Sequence, residues 1–206
     1  NKNKNVHGVI VQTPLPKTFA AEKILKTVDP KKDVDGFLVG SEFKMPISLA
    51  VLKTLKEIHA RLILNQGSTL IKLIKWLETK QITVLGKGET GGKPIINLFQ
   101  SLGLKPIIID SKTSNPRPIA KRADILVSAV GKPNIVTKDM LKKNAILIGI
   151  GLHRGTDGKL QGDYDEEEIK DIASFYTPTP GGVGPINVAM LLKNLVIAVE
   201  KRSIDK

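Results

Sequence analysis

The chain has 206 residues, of which 41% are apolar and 25% are charged, a composition typical of a folded globular protein rather than a disordered one. It contains no cysteine, which excludes disulfide frameworks, thiolate nucleophiles and cysteine-ligated zinc or iron–sulfur sites. The formal net charge of +12 favours anionic partners, among them nucleic acid, anionic lipid, and phosphorylated or polycarboxylate small molecules.

Two of these partner classes find little support in the rest of the sequence. The chain has one Trp, two Tyr and five Phe, and no basic cluster is interleaved with them. Nucleic acid is therefore disfavoured, because single-strand binding proteins stack bases on aromatic side chains. The longest uninterrupted apolar run, 145–152, is far shorter than the ~18 residues of a membrane span, so no transmembrane helix is expected.

The first 80 residues are predicted to form one strand followed by three helices. The apolar run 6–11 ends at two prolines, which is typical of a buried strand that leads into a loop. Apolar residues at helical spacing predict helices over 19–28, 48–59 and 68–78.

From residue 81 onward, short β-branched runs alternate with helical segments. The runs 82–85, 107–109, 125–127 and 145–150 are continuous and apolar, as expected of parallel strands covered on both faces. Residues 81–177 therefore predict an α/β, Rossmann-like parallel sheet domain. A last helix over 185–202 carries an apolar stripe, which we expect to pack back onto the first domain.

A glycine-rich turn follows the first of these strands. Gly86, Gly88 and Gly91 match the pattern G-x-G-x-x-G between a predicted strand and a predicted helix. Without side chains, such a turn lets the backbone approach a pyrophosphate, whose charge is then met by helix-terminal N–H groups. The turn predicts a dinucleotide site, although a glycine turn that only links strand to helix has the same pattern.

The second strand ends at Asp110, where the ribose of a dinucleotide is expected. A carboxylate there accepts a hydrogen bond from the 2′-hydroxyl of NAD, whereas hydroxyl groups and cations favour the 2′-phosphate of NADP. The sequence offers both kinds of group, since Asp110 is followed by Ser111 and Lys112, and Lys87 lies in the glycine turn. The residues alone leave NAD and NADP open.

A second turn, 177–185, contains three prolines and three glycines between a strand and the last helix. Its glycines expose backbone donors and allow a planar ligand to approach closely. We expect this turn to contact a ligand and to face the turn at 86–92 across a single crevice, although a purely structural hinge would have the same composition.

Taken together, these segments resemble the methylenetetrahydrofolate dehydrogenase/methenyltetrahydrofolate cyclohydrolase family. The resemblance rests on landmarks that occur in the family's order along nearly the whole chain. They are the segments 7–16, 32–36, 86–94, 110–113, 123–133 and 180–185.

The resemblance implies a cytoplasmic homodimer that oxidises 5,10-methylenetetrahydrofolate with NAD(P) and hydrolyses the methenyl product to 10-formyltetrahydrofolate. It also implies roles for individual residues. Gln12 and Asp35 are the catalytic candidates in this chain, Gln12 by positioning a lysine and Asp35 by holding the pterin ring. The remaining substrate-binding candidates are Val11, Thr13, Pro180, Gly181, Gly182, Val183 and Gly184, and the cofactor-binding candidates are Gly86, Lys87, Gly88, Gly91, Asp110, Ser111 and Leu152.

The same resemblance implies a division into domains. Residues 1–60, completed by the helix 185–206, correspond to an incomplete folate-binding domain, 61–80 to a linker helix, and 81–184 to the NAD(P)-binding domain. The family's catalytic lysine and nearby tyrosine precede the stretch that corresponds to Val6, so we expect this chain to lack them and the cyclohydrolase step. Asp110 stands where the family usually has histidine, which weakens the inference of NADP.

Two further hypotheses remain open at this stage. The chain could be a nucleotide-binding homologue or fragment without turnover, or a nucleic-acid binder that depends on its net charge. The acidic run 163–168 is interpreted as a helix start capped by Asp165 and not as a metal site, and His7, His59 and His153 are too scattered to form a ligand cluster.

Overall fold

The computed structural model describes residues 1–12, 15–16, 18–63 and 67–204. The described chain forms two compact units, one comprising Asn1–Leu49 with the C-terminal segment from Ile186, and the other Ala50–Pro185.

Five strands of the second unit form one parallel sheet, which confirms the Rossmann-like fold class. They are β1 (Ile82–Leu85), β2 (Ile107–Ile109), β3 (Ile125–Ser128), β4 (Ile146–Gly149) and β7 (Phe175–Tyr176), in the order β2-β1-β3-β4-β7. β1, β3 and β4 are buried at every position, as continuous apolar runs require. A two-stranded antiparallel hairpin, β5 (His153–Arg154) and β6 (Leu160–Gln161), lies between β4 and β7 in sequence.

The remaining elements of this unit are helical. Helix α3 (Leu70–Glu78) begins after Thr69, whose side chain accepts a hydrogen bond from Lys72 N. The others are α4 (Gly92–Ser101), α5 (Pro116–Ala120), the 3₁₀ turn Lys138–Met140 and α6 (Glu166–Ile169). Asp165 caps α6 by accepting a hydrogen bond from Glu167 N at 2.9 Å, which confirms the predicted cap.

Helix α2 (Pro46–Leu62) begins in the first unit and ends in the second, and it is longer at both ends than the predicted 48–59. In the first unit, helix α1 (Ala21–Leu25) is shorter than the predicted 19–28. The predicted strand over 6–11 is wrong, because this segment makes only an isolated parallel bridge between Val9 and Asp33.

The last helix, α7 (Val183–Ile204), contributes to the core of the first unit. Ala198 is buried with Val34 and Phe43, and the side chain of Asn194 donates hydrogen bonds to the carbonyl oxygens of Val34 (2.9 Å) and Lys44 (3.0 Å). This part of the helix therefore packs as predicted.

The rest of the apolar stripe of α7 is different. Val188, Leu192 and Val196 are each more than half exposed. The stretch Val183–Arg202 is long enough and apolar enough, with a mean hydropathy of 1.5, to cross a membrane by length and composition alone. Core helices of soluble proteins pass the same test, so the absence of a transmembrane helix stays a prediction.

Candidate dinucleotide site at the carboxyl edge of the sheet

The carboxyl ends of β1, β2 and β3 meet at one edge of the parallel sheet. Gly86 N donates to Ile109 O at 2.7 Å, and Ala129 N donates to Leu85 O at 2.8 Å, so the segments that follow the three strands are tied together. They surround a cavity of about 750 Å³. Its lining residues are Leu85, Gly86, Lys87, Gly88, Ile109, Asp110, Ser111, Thr113, Pro116, Arg117, Ala129, Val130, Lys132, Asn134, Ile135, Thr137 and Met140.

Crowding of the backbone explains the glycines in the turn between β1 and α4. Gly86 has a φ of +95°, and a Cβ there would lie 2.6 Å from Ala129 O. A Cβ at Gly92 would lie 1.9 Å from Gly86 O, which no rearrangement of a side chain can relieve. Gly88, in contrast, has no other atom within 4 Å of a Cβ position. Gly86 and Gly92 therefore maintain the turn, whereas Gly88 faces open space beside the cavity.

Five of the predicted cofactor residues come together at this cavity, namely Gly86, Lys87, Gly88, Asp110 and Ser111. Gly91 and Leu152 are not among its lining residues. Gly91 is the N-cap of α4, and a Cβ there would lie 3.3 Å from the Cβ of Ala129. Leu152 is exposed and lies beside Gly131. The G-x-G-x-x-G pattern does not include Gly92, although Gly92 packs against Gly86 O. The sequence signal for Gly92 is the Gly-Gly pair that precedes Lys93 and Pro94.

The carboxylate of Asp110 is held in place by its neighbours. Its Oδ1 accepts hydrogen bonds from Lys112 N (2.9 Å) and from the Thr113 hydroxyl (3.2 Å), and its Oδ2 forms an ion pair with the Lys87 ammonium. The hydrogen bond from Lys87 is the main reason why the pKa of Asp110 is lowered to about 2, and the bond from Lys112 N adds to it. Asp110 is therefore ionised at neutral pH.

The segment after β3 is fixed by a carboxylate that the sequence did not single out. Asp163 is fully buried, and its two oxygens accept hydrogen bonds from the Ser128 hydroxyl (2.6 Å) and from the backbone N–H groups of Val130, Gly131 and Lys132 at 2.7–3.0 Å. The sequence signal for this contact is the acidic run 163–168, from which only the helix cap at Asp165 is predicted.

The first unit contains the predicted folate residues from the start of the chain. The bridge between Val9 and Asp33 brings the segment before Val11 beside the segment before Asp35. Asp35 is half-buried, and burial, together with the nearby negative charge of Asp33, raises the pKa of its carboxyl group. Val11 is half-buried and Gln12 is exposed. Thr13 lies outside the described residues.

The turn 177–185 connects β7 to α7. The Thr179–Pro180 peptide bond is cis, and a Cβ at Gly182 would lie 2.5 Å from Pro178 O. Thr179 lines a second cavity of about 410 Å³. The predicted substrate-binding residues of this turn line neither this cavity nor the larger one; they are Pro180, Gly181, Gly182, Val183 and Gly184. A single crevice shared by the two turns therefore stays a prediction.

His59 and His153 have different surroundings. His59 is buried, stacks on Trp76 and hydrogen-bonds through Nδ1 to the Ser68 hydroxyl at 2.7 Å; burial lowers its pKa. His153 Nε2 lies 3.2 Å from Gln161 Oε1. Within the part of the chain that the structure describes, no group of three His, Cys, Asp or Glu side chains could hold a metal ion.

Comparison with known proteins identifies the family of this chain. Residues 68–203 match the profile of the tetrahydrofolate dehydrogenase/cyclohydrolase NAD(P)-binding domain, and residues 1–35 match that of the catalytic domain of the same family. The bifunctional protein FolD of Lachnoclostridium phytofermentans is 40% identical over 201 residues, which are 98% of this chain and 69% of that protein.

Solved structures give the same result. The FolD methylenetetrahydrofolate dehydrogenase/cyclohydrolase of Campylobacter jejuni has a TM-score of 0.85 and 32% identity, over 98% of this chain and 70% of that one. The Trypanosoma brucei enzyme, solved with NADP and an inhibitor, has a TM-score of 0.81 and 27% identity, over 100% of this chain and 70% of that one. The chain therefore belongs to the tetrahydrofolate dehydrogenase/cyclohydrolase family.

Proposed function

We propose that this chain binds NAD(P) and takes part in the oxidation of 5,10-methylenetetrahydrofolate to 5,10-methenyltetrahydrofolate, a reaction of one-carbon metabolism. In the family this step is followed by hydrolysis to 10-formyltetrahydrofolate. The proposal rests on family membership and on one structural observation: the glycine turn and Asp110 border the same cavity at the carboxyl edge of a parallel sheet.

The residues at this edge fit a dinucleotide. The cavity of about 750 Å³ is within the range of roughly 300–1,000 Å³ that small-molecule sites occupy. Gly88 leaves open the place where a side chain would otherwise exclude a pyrophosphate, and Asp110 and Ser111 lie where hydrogen bonds to a ribose are needed. NAD(P), when bound, supplies the acceptor for the hydride that leaves the folate.

The role of the protein in such a reaction is to align the substrate and to exclude bulk water. The half-buried Asp35 is suited to holding the pterin ring, because its raised pKa lets the carboxyl group retain a proton and donate a hydrogen bond at a higher pH than an exposed aspartate would. Val11, Gln12 and Thr13 are assigned beside the folate, and Pro180, Gly181, Gly182, Val183 and Gly184 are assigned to close over it. Leu152 is assigned to the nicotinamide end, and a cytoplasmic homodimer is the expected form of the protein.

The dinucleotide site is tested by filling the space at Gly88. We expect Gly88→Val to weaken binding of NAD(P) by about tenfold or more, because its side chain occupies the open position beside the cavity. Thr90→Val is the matched control, because Thr90 is exposed in the same turn and does not line the cavity. This variant should bind NAD(P) with the same affinity as the unchanged chain. Calorimetric titration measures the affinities, and thermal melting checks that both variants fold.

Two results would contradict parts of the proposal. If a folded sample binds neither NAD nor NADP at millimolar concentration, the cofactor assignment is wrong. If it binds one of them but the protein does not reduce it in the presence of 5,10-methylenetetrahydrofolate, a nucleotide-binding homologue without turnover is the better description.

A further inference from the structure

The ion pair between Lys87 and Asp110 lies where a dinucleotide-binding domain distinguishes its two cofactors. Asp110 directly follows β2, and the backbone of β2 is hydrogen-bonded to the glycine turn through Gly86 N and Ile109 O at 2.7 Å. In this fold the adenosine ribose extends from the glycine turn toward the end of the second strand. A phosphate on that ribose would therefore approach the Asp110 carboxylate.

We propose that Asp110 makes this protein select NAD over NADP, by accepting a hydrogen bond from an unphosphorylated ribose and repelling a 2′-phosphate. This inference rests on the proposed function and specifies its cofactor.

The first support is that the carboxylate is fixed in place. Oδ1 is bound by Lys112 N and the Thr113 hydroxyl, and the Thr113 hydroxyl oxygen also accepts a hydrogen bond from Asp110 N at 3.0 Å. A side chain held from both sides does not rotate away from an incoming phosphate without losing these bonds. Its negative charge therefore stays at the end of β2.

The second support concerns the lysine that would otherwise attract a phosphate. Lys87 Nζ is in contact with Asp110 Oδ2, so its positive charge is compensated within the site. To bind a 2′-phosphate, Lys87 would have to exchange this carboxylate for the phosphate and leave Asp110 beside the new negative charge. Two anions this close to each other repel strongly.

Two other cations, Arg117 and Lys132, line the cavity. Arg117, the second residue of α5, lies 3.4 Å from Asp139 in a pair that is largely exposed, so its charge is already matched by a carboxylate. Lys132 belongs to the segment after β3, on the other side of β1. Ser111 can donate to a ribose hydroxyl as well as to a phosphate, so it does not favour either cofactor.

The test is the ratio of the dissociation constants of NAD and NADP, measured by calorimetry on the unchanged chain and on Asp110→Asn. We expect the unchanged chain to bind NAD about tenfold or more tightly than NADP, and Asp110→Asn to reduce this ratio by a similar factor. The reduction should also occur in a Lys87→Met background, because repulsion by Asp110 does not require the lysine.

The chain contains a closely matched control in Asp124. Its carboxylate also pairs with a lysine, Lys142, at 2.6 Å, and accepts a backbone hydrogen bond, from Gln81 N at 2.8 Å, but it lies at the amino end of the strands. Asp124→Asn makes the same chemical change and should leave the ratio unchanged.

The outcomes separate this inference from the proposed function. The inference is wrong if the unchanged chain does not prefer NAD, or if Asp110→Asn changes the ratio no more than Asp124→Asn does. The proposed function fails instead if a folded sample binds neither dinucleotide.

Discussion

The cavity at the carboxyl edge of the sheet is bordered by two turns that are held in opposite ways. The turn after β1 depends on the absence of side chains: Gly92 packs so closely on Gly86 that a Cβ at position 92 would lie 1.9 Å from Gly86 O. The segment after β3 is held by a side chain from a distant part of the chain, because the Asp163 carboxylate accepts hydrogen bonds from its backbone N–H groups.

The two solutions suit different contacts with a ligand. Backbone without side chains can approach a phosphate closely. The glycines therefore leave the backbone of the turn after β1 accessible to a phosphate. The segment after β3 has its N–H groups occupied by Asp163, so it offers a rigid wall and few donors. One turn is therefore built for contact with anions and the other for defining the shape of the cavity.

The largest effect is expected from removing the acceptor at Asp163. Asp163→Ala leaves the Ser128 hydroxyl and three backbone N–H groups without their partner in a buried place, and we expect a loss of roughly 3 kcal/mol or more in the free energy of unfolding. Denaturant unfolding measures this loss.

Asp165→Ala is the control for this experiment, because it removes a nearby carboxylate whose single cap bond is worth only about 1 kcal/mol. Equal losses for the two variants would show that Asp163 does not hold the segment after β3.

An intermediate effect is expected from adding one carbon atom to the turn after β1. Gly92→Ala places a Cβ against Gly86 O and should cost about 1–3 kcal/mol in the free energy of unfolding, as overpacking of a tight contact does. It should also weaken dinucleotide binding, since Gly86 and Gly88 must shift.

Gly88→Ala adds the same carbon atom in open space, so the stability of this variant should stay close to that of the unchanged chain. If Gly92→Ala is as stable as Gly88→Ala, close packing does not explain the glycine at position 92.

The same contrast shows what could be predicted from the sequence. The strand β1 and the turn after it are local: a run of four apolar or β-branched residues followed by glycines is visible in the sequence, and the predicted bounds 82–85 agree with the structure. The link from Asp163 to the segment after β3 spans more than thirty residues, and no local pattern indicates which carboxylate of an acidic run is buried. Long-range polar contacts of this kind depend on the tertiary structure.

The first unit shows that an apolar run alone does not predict a strand. The run 6–11 is apolar and predicts a buried strand, yet Val6 and Ile10 are exposed and only Val9 pairs, with Asp33. Apolar character alone does not create a strand, because a strand needs a partner along its whole length. The helices α2 and α7 were located from their periodicity, whereas their ends differ from the predicted ones by two or three residues.

The smallest effect concerns the charge that borders the turn after β1. Because Lys87 lowers the pKa of Asp110 to about 2, a carboxyl-detected NMR titration should place the midpoint of Asp110 there, and Lys87→Met should raise it toward the ordinary value of 3.8. The bonds from Lys112 N and Thr113 remain in this variant, so the midpoint should stay below 3.8. A carboxyl group whose pKa is lowered by folding stabilises the folded state above its unfolded pKa, and this contribution declines as the pH falls from about 3.8 to 2.

Asp124, whose lowered pKa depends on Lys142, is the internal reference and should titrate identically in both proteins. An Asp110 midpoint that does not move in Lys87→Met would mean that the ion pair is not formed in solution, and that the lysine is then available to a phosphate.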